Sequence, residues 1–297
     1  MTTTEAALES IADDHDSYTD LGHHTRSPWW TWPATRPGLL LAGAILLVAL
    51  LWITIPGWFT EFDPTSAVTA DKTVPPGIDH LFGTDYLGRD VFSRVVYGTA
   101  SSARATIMAV LIGCGTGILA GTISGYLGGT VDDVIMRLAD IVFAIPGLLL
   151  SLALVMVLGF GWLNIAIAVG AASVAPFTRL TRGEVLRARS SVSVESAHAS
   201  GVGAIGVISR HVIPQTVGPV LALAVLEFGS ALLAVSSLSF LGFGSPPPSP
   251  EWGALVASGR DYLADGWWMS ILPGAVIVAV VLSVGRVGRE FGPRGAR

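Results

Sequence analysis

The sequence predicts an all-α membrane protein with six transmembrane helices. Three observations lead there. Of 297 residues, 51% are hydrophobic and only 13% charged, about half the charged share of a soluble domain, roughly 25%. Six stretches approach the ~20 apolar residues a spanning helix needs. Lysine and arginine are also unevenly distributed between the connections, as the positive-inside rule requires. The mean hydropathy of +0.63 agrees.

The expected spans run from Gly38 to about Ile55, about Arg104 to Tyr126, about Val134 to Leu158, about Leu163 to Leu180, about Val217 to Leu241, and Trp268 to about Val287. Barrel strands are excluded because the runs lack period-two alternation, and only helices or closed barrels satisfy their backbone in lipid. The expected organisation is a polar tail over 1–36, a first span over 37–58 and an extracytoplasmic loop over 59–102. A five-helix core over 103–290 follows, with a surface segment at about 190–213, and 291–297 form a short tail. The tail before residue 36 carries Asp13, Asp14, Asp16, Asp20, His15, His23 and His24. It lacks the basic start and apolar core of a signal peptide.

Orientation follows from the basic residues. Arg182, Arg187, Arg189 and Arg210 lie between the fourth and fifth spans, and Arg286, Arg289, Arg294 and Arg297 at the C-terminal end. The alternate connections are acidic by comparison, with Glu61, Asp63, Asp71, Asp79, Asp85 and Asp90, then Glu251, Asp261 and Asp265. Both termini are therefore expected in the cytoplasm of a cell-membrane protein. Trp29, Trp30, Trp32, Trp52, Trp58, Trp267 and Trp268 flank spans, where indole rings favour the headgroup level. In the second span Gly117, Gly121 and Gly125 recur every four residues. This small-xxx-small face suits close helix packing, within the chain or against a partner.

Several function classes are excluded. The sole lysine is Lys72, and no Gly-x-x-x-x-Gly-Lys-Ser/Thr phosphate loop occurs. No His-Glu-x-x-His or Gly-x-Ser-x-Gly pattern is present, so no catalytic constellation is expected. The single Cys114 forms no disulfide within the chain and no Cys-rich metal site. A pI near 5.6 argues against nucleic-acid binding.

Glu195-Ser196-Ala197-His198-Ala199-Ser200-Gly201, followed by Arg210-His211-Val212-Ile213-Pro214, is too short and polar to span. Glu195 to Ala199 suits a short helix, released by a turn at Gly201. Its small residues let another protein approach the backbone, and Pro214 suits the first turn of the next span. This segment resembles the "EAA" signature of ABC importer permeases, on Glu195, Ala197, Gly201, Ile213 and Pro214, with Ser196 in place of an alanine. Three further stretches are similar to the dipeptide, oligopeptide and nickel branch of that family: His80 to Arg94, Asp132 to Pro146, and Ser237 to Gly242 with Pro247, Pro248 and Trp252-Gly253. The resemblance covers about 37–290.

It implies the type I importer permease fold, with a coupling helix that docks on an ATPase through Glu195, Ala197, Ala199, Ser200, Gly201, Ile213 and Pro214. The implied partners are a second permease subunit, two ATPase subunits, an extracytoplasmic solute-binding protein and a peptide substrate. ATP and magnesium would sit on the partners, with no cofactor on this chain. Asp85, Arg89 and Asp90 become a candidate binding-protein contact, or a solvated loop with local ion pairs. Asp133, Arg137 and Asp140 share a helical face, where Arg137 would bridge both carboxylates as a clamp at an inner gate or touch substrate. Pro146 permits a kink. Glu227, the acid nearest the middle of a span, would meet a cationic substrate group or rest at a helix interface. A nickel importer of the same branch, a self-sufficient secondary transporter and a membrane-embedded enzyme are the alternatives.

Overall fold

The computed structural model describes residues 37–66 and 71–291. The expectations for the acidic, histidine-containing tail, for Trp29, Trp30 and Trp32, and for Arg294 and Arg297 lie outside the described residues. The chain from Leu41 onward clusters as one compact unit; of the unit before it, only the opening residues of the first helix are described.

The helices, in chain order, are α1 (Pro37–Thr54), α2 (Val91–Leu127), α3 (Gly129–Ala144), α4 (Gly147–Leu158), α5 (Trp162–Arg189), α6 (Val192–Ala199), α7 (Ala204–Val207), α8 (Ile213–Phe240), α9 (Trp252–Gly259) and α10 (Trp268–Phe291). A π-helical turn, Ile208–Val212, joins α7 to α8. Among the described residues the only β contact is an isolated bridge between Thr84 and Asp90. Among the described residues five helices are long and apolar enough to cross a membrane, or six if α3 and α4 together count as one span.

That pair is where the structure departs most from expectation. The third apolar run is broken, its halves bent by 94°. Ile145 takes an extended conformation, as a residue before proline prefers, and Pro146 supplies no N–H to continue the ladder. At 1.5 Å per residue neither α3, of 16 residues, nor α4, of 12, reaches across ~30 Å of hydrocarbon alone.

α2 also differs. Its 37 residues begin at Val91, not near Arg104. The added turns contain Ser93, Arg94 and Tyr97, which lower apolarity and hid them from a hydropathy reading. They are nevertheless packed: Val91 and Val95 share a core with Leu232, Trp252, Leu255, Trp268 and Ile277. A second core, mid-molecule, joins Ala105 and Ala109 of α2 to Val155 of α4, Ile165 and Ala168 of α5, and Val235 and Leu238 of α8. By contrast α1 buries only Ala42 and leaves Leu47, Leu50 and Ile53 open, as an apolar helix facing lipid would.

The glycine repeat of α2 finds its partner within the chain. A Cβ added at Gly121 would stand 2.6 Å from the Thr178 carbonyl oxygen and 2.9 Å from the Arg182 nitrogen; one at Gly125 would stand 2.9 Å from the Val185 Cβ. Gly113 and Gly117 meet Ser173 and Phe177 in the same way, and Gly170 of α5 returns the approach against Ala109 and Ile112. Five close approaches thus run along one seam.

Tryptophan positions split. Trp58 and Trp267 point outward, at 85% and 47% exposure, while Trp268 is a core residue, 6% exposed. Its indole N–H donates to the Thr84 carbonyl at 3.1 Å, and that of Trp252 to the Val95 carbonyl at 3.0 Å.

The α2–α5 seam leads to a stability prediction. Gly121→Leu is expected to cost about 1–3 kcal/mol, because the facing atoms are backbone and cannot yield. Gly115→Ala, where an added Cβ meets nothing within 4 Å, is expected to be neutral. Thermal unfolding of the detergent-solubilised chain, followed by fluorescence, separates the two.

Candidate functional site

Four places bear on function. The first is the short helix α6 and its surroundings. Val194 and Ala197 turn inward, joining Val185 and Ala188 of α5, Val207 of α7 and Val212 of the π turn in a small core. Glu195, Ser196, Ala199 and Ser200 face outward, flanked by Val192 at 78% and, in α7, Ile205 at 84% exposure. The expected turn is present. Gly201 has φ of +77°, and the Val202 N–H donates to the Ala197 carbonyl at 3.1 Å. This is a Schellman closure, with Val202 packed against the small core that contains Ala197. Pro214 lies at the start of α8. The π turn directly before it widens the helix where the proline ring would crowd the Arg210 carbonyl.

The second place is a set of ion pairs between α3 and α5. The α3 face does not form the expected clamp. Arg137 bridges neither Asp133 nor Asp140, and all three are exposed. Asp140 instead accepts from Arg179 at 2.6 Å, whose guanidinium also lies 4.2 Å from the Phe143 ring centroid. Asp132 takes a two-pronged pair from Arg182, with Nε to Oδ1 and Nη2 to Oδ2 both at 2.6 Å, and accepts from the Ser124 hydroxyl. Arg189 donates to the Gly125 carbonyl at 3.0 Å and covers the Tyr126 ring. Spacing within α3 could not show these pairs, since each basic partner arrives from another helix.

Third, Asp85, Arg89 and Asp90 form a buried knot, not a solvated loop: they are 5%, 7% and 5% exposed. Asp85 pairs with Arg89 Nε at 2.7 Å and accepts from the backbone N–H of Leu87 and Arg89, both at 2.9 Å. Asp90 caps α2 by accepting from the Ser93 N–H at 2.6 Å, and its other oxygen lies 2.9 Å from His80 Nδ1. Arg94 reaches the Pro64 carbonyl at 2.8 Å. These charges hold the loop's shape, so an approaching protein meets the loop surface and not these side chains. Glu251, which reads in sequence as one more loop acid, is likewise buried at 1% exposure. It accepts from the Ser239 hydroxyl and from the Ser245 N–H at 3.0 Å.

Fourth, a cleft of about 390 Å³ opens beside the α3–α4 break, walled by α4, α5 and α8. Glu227 lines it together with Gly147, Ser151, Ser173, Ser230 and Ser237. Of the predicted pathway residues only Glu227 faces this space; Pro146 makes the break that starts its wall, while Asp133, Arg137 and Asp140 stand apart on α3. A mainly apolar groove including Leu148, Leu233, Phe240 and Ile277 continues from it. Among the described residues no group of three or more His, Cys, Asp or Glu is arranged to hold a metal ion.

A helical membrane bundle with a broken span beside a polar cleft, and a small exposed helix tied to two long spans, is the architecture of a multi-pass permease. Residues 117–295 match the family described as "Binding-protein-dependent transport system inner membrane component". The chain is 36% identical over 252 residues to the "Probable D,D-dipeptide transport system permease protein DdpC" of Escherichia coli (strain K12), covering 85% of each. It is 36% identical over 267 residues to the glutathione transport system permease protein GsiD of Escherichia coli O157:H7, covering 89% of this chain and 88% of that one. It is 34% identical over 266 residues to the dipeptide transport system permease protein DppC of Haemophilus influenzae, covering 88% and 90%. An amino acid ABC transporter crystal structure shares the fold over 67% of this chain and 93% of its own, with TM-score 0.53 at 17% identity. The MetNI methionine ABC transporter does so over 67% and 97%, with TM-score 0.52 at 12% identity. The chain therefore belongs to the binding-protein-dependent transport system inner membrane component family, as a membrane permease subunit of an ABC importer.

The Arg182–Asp132 pair is expected to show a coupling of about 0.5–1 kcal/mol in a double-mutant cycle of Asp132→Asn and Arg182→Gln, read by thermal unfolding. The upper end of that range suits a two-pronged pair that is only partly exposed, at 31% and 15%.

Proposed function

We propose that this chain supplies half of the translocation pathway of an ATP-driven importer for di- or oligopeptides, working with a second, different permease subunit. On this reading α6 docks on one of two separate ATPase subunits through Glu195, Ala199, Ser200 and the backbone around Gly201. Ala197 would hold that helix against Val207 and Val212, and Ile213 and Pro214 would add their exposed faces at the start of α8 to the docking surface. ATP and magnesium bind the ATPases, so hydrolysis occurs off this chain. Both termini lie in the cytoplasm, and a solute-binding protein delivers peptide at the opposite face, over the loop that Asp85, Arg89 and Asp90 hold.

The observation that carries the coupling reading is the exposed face of α6, kept rigid by its own core and by the Gly201 turn. The substrate class rests on the dipeptide and glutathione permeases among the relatives. These names favour peptides over the nickel alternative, and family membership disfavours a self-sufficient carrier.

Co-purification tests the proposal. A tagged chain, extracted gently with its native neighbours, is expected to bring a second permease and an ATPase. Glu195→Arg, on the exposed side of α6, is expected to lose the ATPase while keeping the second permease. Recovery of the chain alone in a transporting form would overturn the reading.

A further inference from the structure

Among the described residues Glu227 is an acid without a cation. Its sole hydrogen bond among the described residues is a long one, 3.4 Å from the Ser173 hydroxyl. It makes no ion pair there, and no lysine, arginine or histidine lines the cleft it faces. Ionisable groups at such depth in a span are costly and ordinarily have a partner.

Two of the four serines that line the cleft are biased the same way. Ser237 commits its hydroxyl proton to the Leu233 carbonyl at 2.8 Å, and Ser151 commits its own to the Gly147 carbonyl at 2.9 Å. Both oxygens therefore offer lone pairs alone to anything in the cleft. A carboxylate with committed serine hydroxyls is a set of acceptors, whereas an alkylammonium is a set of three donors with no acceptor. A carboxylate cargo group would find no positive side chain here.

We propose that Glu227 forms a subsite for the primary ammonium group of the cargo as it passes through the cleft. This rests on the peptide-importer reading and adds which end of the peptide this chain holds. The apolar groove beyond, with Leu148, Leu233 and Phe240, then lies where side chains of the same peptide would follow.

The test is equilibrium binding to the assembled permease–ATPase complex in nanodiscs, without binding protein, using a radiolabelled alanyl dipeptide and its N-acetylated form. The free-amino peptide is expected to bind the wild-type complex at least about ten-fold more tightly, the scale of one lost charge-assisted contact. Glu227→Gln keeps volume and hydrogen bonding but cannot carry charge, and is expected to abolish that difference; Glu227→Asp is expected to retain part of it. Wild-type complex that binds both peptides equally, or neither, overturns the inference, as does a Glu227→Gln complex that still discriminates. If Glu227→Gln does not assemble, the wild-type comparison and Glu227→Asp decide. Peptide uptake by the complete wild-type system is read separately. Its absence defeats the importer reading, whereas uptake with no preference for the free amine in the binding assay defeats the subsite alone.

Discussion

The close approach of α2 and α5 is the constraint on which the other features depend. Lipid offers little hydrophobic reward for helix association, so the contact must come from dispersion over a large, well-matched surface. Glycine at Gly113, Gly117, Gly121 and Gly125 removes the side chains that would hold the helices apart, and α5 fills the space with Ser173, Phe177, Thr181 and Val185. Once that seam is set, α5 becomes a buried central rod. Its far end then carries Arg179, Arg182 and Arg189 to fixed positions, and those residues pin α3 and the end of α2. The floor under α6 is built from the same rod, through Val185 and Ala188.

At the opposite end the fold is stabilised differently. Close glycine approaches occur there too, at Gly253 against Ser236 and at Gly259 against Met269 and Ser270, but they centre on the short α9, and the loop before α2 is long. Buried charge takes over, with Asp85 satisfied by Arg89 and two backbone N–H groups, and Asp90 by Ser93 and His80. Low exposure makes such a knot costly unless every lone pair is used. Trp252 and Trp268 tie it down, each donating its indole N–H to a backbone carbonyl of that region.

How much of this the sequence makes legible depends on the range of the interaction. Features decided within one turn are readable: the Glu195–Ala199 helix, the left-handed Gly201, the four-residue glycine repeat and the pairing of Asp85 with Arg89. Features decided between distant segments are not. Asp132 and Arg182 are 50 residues apart, and nothing in either neighbourhood names the other. The local face of Asp133, Arg137 and Asp140 suggested a clamp because spacing on one helix says nothing about which basic side chains a second helix brings. Pro146 announces a kink, but a right-angled break depends on what packs under each half. Burial of Asp85 and Arg89 was hidden for the same reason, since a charged loop looks solvated until its cover is known.

The cleft and the small exposed helix are far apart in sequence terms but are linked by one rod. From Ala204, through the π turn, to Phe240 the chain is helical without interruption. Val212 anchors that rod in the core under α6, and Glu227 sits 15 residues on, roughly 22 Å at 1.5 Å per residue. α6 meets this rod through the side-chain core of Val194 and Ala197 against Val207 and Val212, and from there to the cleft the path is one hydrogen-bonded backbone helix. The π turn is the departure from α-helical geometry on that path. The cleft's other wall, α4, is cut from α3 by the break at Pro146 and packs against α5 through Val155, Ile165 and Ala168. Ser151 supports that attachment, approaching the Ala168 carbonyl of α5 at 3.3 Å. The space that Glu227 faces is thus bounded by a helix continuous with the core under α6 and by a separately attached α4.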